Sequence, residues 1–179
     1  MVPAVLIFIA LMWFPTALLI LGHGEPKATG FIDLVVGSFV VIAATLSVVV
    51  YKSNWDAGLL YMHGMLYMTV GYSFMTGQTD LRPMGNVSLI TAIGTTVYAA
   101  VVLIGGPVVG VGAAAAALVP QNTCLGLMVA IYAILAWEVF LNCYGKLSGK
   151  VLAWSLILAA FIALWIPAFW LMADGKFPF

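Results

Sequence analysis

Residues 122–172 read "NTCLGLMVAIYAILAWEVFLNCYGKLSGKVLAWSLILAAFIALWIPAFWLM". Two long apolar runs, 122–144 and 151–172, are separated there only by "GKLSGK". A helix crossing a bilayer needs about 20 mainly apolar residues. Each run therefore reads as a span, and the short link makes the two spans antiparallel neighbours. Four further runs of the same kind lie near 3–22, 30–51, 58–76 and 86–104. The pattern predicts an all-α integral membrane protein of six helices. The third run is the least apolar, with Tyr61, His63, Tyr67 and Tyr72 set among methionines.

Composition points the same way. Of 179 residues, 65% are hydrophobic and 7% charged, and the mean hydropathy is +1.18; a soluble domain carries about 25% charged residues. Loops such as "KSNWDAG" leave no room for a soluble domain, so 1–179 reads as a single transmembrane domain whose function rests on helix-borne side chains. The net charge is zero, and six scattered Lys and Arg give no basic patch to follow phosphates, so nucleic acid is excluded as a partner. The first run lacks a basic n-region and a cleavage site and is read as a retained helix. Cys124 and Cys143 fall near opposite ends of one helix, about 28 Å apart at about 1.5 Å per residue, too far to pair. With two histidines and no CxxC spacing, no metal is expected.

Lys27, Arg82, Lys146 and Lys150 fall in the loops after helices one, three and five; Lys52 and Lys176 lie on the other side. The positive-inside rule then puts both termini outside. The charge-free "GGPVVGVGAAAAALVPQ", 105–121, reads as an apolar loop at the bilayer surface, with a re-entrant segment as the alternative. Small residues in "GVGAAAA" and at Gly37 and Ser38 suit close helix packing or oligomer contacts.

Glu138 is read as the one acidic residue well inside a span, with Asn142 one turn later on its face. A carboxylate at membrane depth costs a few kcal/mol and so faces protein or water. Either Glu138 serves a polar pathway or it hydrogen-bonds a neighbouring helix. On helix one, Leu6, Ile9, Trp13 and Thr16 recur at helical spacing, an apolar and aromatic face past which a small, flat, neutral solute fits better than an ion. His63 reads as a neutral, hydrogen-bonded residue rather than a switch. Asp33 reads as complementing the N-terminal dipole of helix two. Asp80 and Arg82 are placed to form a local ion pair. Enzyme constellations are missing: paired intramembrane carboxylates, GxSxG, HExxH and Gly-rich phosphate loops.

"GHGEPKATGFIDLVVG" after helix one, "TDLRPMG" after helix three, and "GKLSGK" running into "LWIPAF" resemble, in order and spacing along nearly the whole chain, the urea/amide channel family (AmiS/UreI). The resemblance implies six helices per protomer as three hairpins around a central pore, and a ring oligomer, a homohexamer, in the bacterial inner membrane. It implies passive conduction of urea or short-chain amides, without a cofactor, to a cytoplasmic urease or amidase. It makes Val2, Leu6, Trp13 and Thr16 pore-lining and puts Tyr61 and Met65 at an aromatic constriction, with Tyr67 as the fallback. On helix five it points to Trp137 and Tyr132. Neighbouring positions differ by about 100° around a helix, so Trp137 and Glu138 cannot both point down one pore. A pore glutamate of urea channels in the family would align with Ala159, which favours aliphatic amides. The outer loops lack histidine, so the expected channel is not acid-gated. Two other readings remain: a proton-coupled transporter using Glu138, and a non-conducting assembly subunit.

Overall fold

The computed structural model describes residues 2–106, 108–109, 116–117 and 121–177. Among them are six long helices: α1 (Val2–Ile20), α2 (Pro26–Val49), α3 (Asn54–Thr76), α4 (Arg82–Ile104), α5 (Thr123–Cys143) and α6 (Gly149–Asp174). A two-residue antiparallel pair, Val108–Val109 with Ala116–Ala117, is the other regular element described. The remainder of 107–120, where the sequence left a loop and a re-entrant segment open, lies outside the described residues, as does most of "GVGAAAA".

Local chemistry sets the helix ends. Pro26 opens α2 with its φ already helical and no N–H to satisfy, and the Glu25 carboxylate caps the backbone N–H groups of Ala28 and Lys27. Those two bonds hold the Glu25 carboxyl below its ordinary range. The cap starts α2 four residues ahead of the position 30 expected from hydropathy alone. Ser53, Asn122 and Ser148 cap α3, α5 and α6 through their side-chain oxygens. Gly77, at φ +65°, ends α3 in the left-handed conformation that only glycine adopts freely. In the turn that follows, Arg82 reaches Asp80 at 2.8 Å, and this bonding holds the Asp80 carboxyl down at about 2. The pair therefore persists as pH falls until it approaches that value.

In α6, residues Ala160–Trp165 form a π turn. Pro167 follows, with no N–H to donate and a ring that crowds the carbonyl four residues back, at Ala163; the widened turn accommodates both.

Five of the six helices are long and apolar enough to cross a membrane; α3 falls short in hydropathy, not length. α2 and α3 pack along their length, as do α4 and α5, and α1 lies against α6. The α2–α3 seam is made by glycines two turns apart on each helix, Gly30 and Gly37 facing Gly71 and Gly64. A Cβ at Gly37 would lie 2.8 Å from the Met68 nitrogen, so the backbones nearly touch. Outward, Phe31, Phe39, Ile42 and Val49 of α2 stay exposed, the apolar covering a lipid solvent requires. The interior face of α1, with Ile9, Ala10, Trp13 and Ala17, is buried.

Candidate functional site

The odd-numbered helices α1, α3 and α5 carry most of the residues around two internal cavities. One, of about 150 Å³, runs from Trp13 and Thr16 of α1 and Tyr67 of α3 to Ile20, Phe74, Leu81 and Asn142. The second, of about 160 Å³, runs from Leu6 and Ile9 past Leu60 to Ser47, Asp56 and Leu125. An apolar cavity of that size admits a benzene-sized ring. Ile20 and Phe74 of the first cavity lie near the C-terminal ends of α1 and α3, whereas Val5 and Asp56 of the second lie near the N-terminal ends of the same helices, so the cavities extend toward opposite ends of the bundle. His63 and Tyr132 belong to the lining of both.

The waist between them is aromatic. The Tyr132 ring lies 4.8 Å from Trp13 at 58° and 5.2 Å from His63 at 85°, and His63 lies 6.0 Å from Tyr67. Tilted and edge-on contacts of this kind are the favoured ones for aromatic rings. Its polar atoms are left open: His63 Nε2 and the hydroxyls of Tyr67 and Tyr132 are buried without a hydrogen-bond partner among the described residues. Trp13 lies beside the Tyr67 hydroxyl, but no aligned hydrogen bond joins them.

Of the residues read from the sequence, Leu6, Trp13, Thr16, Tyr132 and Asn142 are brought to the cavities. Asn142 also donates from Nδ2 to the Leu147 carbonyl at 3.0 Å, bracing the α5–α6 turn. Tyr61 and Met65 are not brought there: they are 37% and 55% exposed, and the Tyr61 hydroxyl lies 3.0 Å from Thr45 Oγ1. Their helix turns them away, because two residues along α3 amount to about 200°, which puts His63 and the fallback Tyr67 on the inner face. Trp137 is 36% exposed and donates from Nε1 to Thr96 Oγ1 at 3.2 Å, at the α4–α5 seam. Glu138 accepts from Ser155 Oγ of α6 at 3.0 Å and is not among the residues lining either cavity; its Oε2 has no partner. The side chain of Val2 lies outside the described residues.

Asp33 corrects two sequence readings. It sits two turns inside α2, too deep to complement the helix dipole, and is fully buried, so Glu138 is not alone as an acid within a span. Its Oδ1 accepts from the hydroxyl of cavity-lining Thr16 at 2.9 Å, while Oδ2 has no partner. With its hydrogen committed to Asp33, Thr16 offers the cavity lone pairs. The signal was the lone acid in "GFIDLVVG", hidden by placing the helix start too late. Thr16→Val is expected to lower stability by about 1–3 kcal/mol, because the carboxyl loses its donor in a site it cannot leave. Thr16→Val with Asp33→Leu is expected to recover it. Thermal unfolding in detergent checks this, and a double variant no more stable than the single one would refute it.

A family model described as AmiS/UreI family transporter matches residues 1–175. Comparison with curated proteins gives no match. Among solved structures, the chain is similar to the Helicobacter pylori urea channel in a closed state determined by cryo-electron microscopy, at 20% identity and a TM-score of 0.79, over 98% of this chain and all of that one. It is likewise similar to the crystal structure of the urea channel from that pathogen, at 19% identity and a TM-score of 0.78, over 98% and 99% of the two chains.

Proposed function

The chain belongs to the AmiS/UreI family of transporters, and from that premise we propose that it is a passive channel for small neutral amides, short aliphatic amides and urea. With five helices apolar enough to cross a bilayer, it is a multi-pass membrane protein. The observation that carries the channel reading is the pair of cavities reaching toward opposite ends of the bundle and meeting at His63 and Tyr132. The solved structures of similar fold are of a urea channel, which supports the same reading.

A planar amide sheds most of its water, passes between apolar and aromatic walls, and exchanges hydrogen bonds with Thr16 and the open polar atoms of the waist. Ions are disfavoured because, among the described residues, the cavities carry one charged side chain, Asp56, and no charged ring to replace their hydration. Ala159 is buried outside the lining of either cavity, so it does not by itself separate urea from aliphatic amides. We further propose three helix hairpins around the protomer's own pore, a hexameric ring in the inner membrane with both termini outside, and a cytoplasmic amidase or urease that consumes the solute. Glu138 lies apart from the cavity lining and so gives no support to proton coupling.

Proteoliposome flux tests this with urea, formamide, acetamide and propionamide across the range in which histidine titrates, about pH 5 to 8. Permeability is expected to exceed that of protein-free vesicles, to stay linear in solute and to ignore an uncoupler. Several-fold acid activation would overturn the ungated part. Saturable uptake abolished by an uncoupler would replace the channel with a proton-coupled transporter.

A further inference from the structure

The His63 ring is 4% exposed, and its Nδ1 lies 3.0 Å from the Leu59 carbonyl oxygen one turn back on α3. A carbonyl only accepts, so Nδ1 carries the hydrogen in that contact, and Nε2 of the neutral ring is left as an acceptor. Nδ1 is at the root of the ring and Nε2 at its tip. Tying the root to α3's own backbone leaves the tip free of that helix's carbonyl, in a ring that packs perpendicular to Tyr132 at 5.2 Å. Among the described residues Nε2 has no partner, and neither have the Tyr67 and Tyr132 hydroxyls, each able to donate.

Resting on the channel reading, we propose that His63 Nε2 is the specificity-determining acceptor of the waist. A permeant N–H donates to it while the permeant's carbonyl accepts from Tyr67 or Tyr132. Buried polar atoms without partners are costly in an apolar span, and a solute that satisfies them as it passes meets a lower barrier. Urea and primary amides carry both a carbonyl and N–H groups. A carbonyl solute with no N–H leaves Nε2 empty, and a site built around a hydrogen bond discriminates most strongly against the analogue that lacks it.

The chain has two histidines, His23 and His63, so nitrogen-15 labelling of histidine gives a spectrum of two residues. Acetamide added to the labelled protein in nanodiscs is expected to move the His63 Nε2 resonance, and N,N-dimethylacetamide to leave it in place. In proteoliposomes, His63→Leu is expected to lower urea and acetamide permeability about tenfold, the effect of one lost hydrogen bond at the barrier. His63→Gln, which restores an acceptor, is expected to recover most of it. An Nε2 resonance that ignores acetamide, or equal permeability in the Leu and Gln variants, overturns the proposal. If the wild type passes no amide and Nε2 still responds to acetamide, this site stands and the channel reading falls.

Discussion

Replacing Gly71 with leucine is expected to force α2 from α3 and to remove most of the protein's stability in detergent. A Cβ at position 71 would lie 2.6 Å from the Gly30 carbonyl oxygen, 2.6 Å from the Leu34 nitrogen and 2.9 Å from Leu34 Cγ. Two of those atoms are backbone, so no side-chain rotation relieves the clash; the helix axes have to move. Overpacking costs about 1–3 kcal/mol where neighbours adjust, and more where they cannot. Against net stabilities of about 5–15 kcal/mol, that is a large share. Thermal melting and size-exclusion profiles of the solubilised protein provide the measurement, with Met65→Leu on the exposed face of the same helix as the control. A Gly71→Leu variant melting within about 4 °C of the wild type, the shift produced by about 1 kcal/mol in a chain of this size, would refute the close approach.

Tyr132→Ala is expected to join the two cavities. The Tyr132 ring packs on Trp13 and stands edge-on to His63, so its removal takes away a wall common to both chambers. If the ring adds about 1.4 kcal/mol to the barrier for a longer amide, its loss raises that flux about tenfold. Butyramide should gain most and formamide least, narrowing the spread across an amide series in proteoliposomes. Trp137→Ala is the comparison, since it removes a donor to Thr96 at the α4–α5 seam. A change in the series at Trp137 with none at Tyr132 would move the narrowing to Trp137.

Six apolar runs, divided by short polar links everywhere but at the apolar 105–121 segment, were enough to read six helices, because lipid as solvent leaves few alternatives to a helix of about 20 apolar residues. Which face of a helix looks inward was harder. In α1, Leu6, Trp13 and Thr16 share one apolar stripe and reach the cavities as a set. In α3, aromatic residues lie on both faces, so composition alone does not separate Tyr61 from Tyr67. The lower hydropathy of α3 was itself the clue, since a helix lined with His63 and Tyr67 spends polar groups on its inner face. Asp33 was missed for a different reason. Hydropathy marks where a helix becomes apolar, not where its hydrogen bonds begin, and the Glu25 cap and Pro26 start α2 earlier. Glu138 reads from the sequence as a costly carboxylate, but cost alone does not say which neighbour meets it; Ser155 of α6 does.

The π turn at Ala160–Trp165 makes α6 two rods with separately set azimuths. Before it, α6 is held between α1 and α5; beyond it, among the described residues, the helix keeps α1 and loses α5. One extra residue in a turn advances everything downstream by about 100°. Deleting a single residue from that turn would therefore spin the last stretch, Ile166–Asp174, by about that angle while leaving Gly149–Ala159 in register. The turn thus sets how Ile166–Asp174 is presented to α1 independently of how the preceding stretch meets α1 and α5.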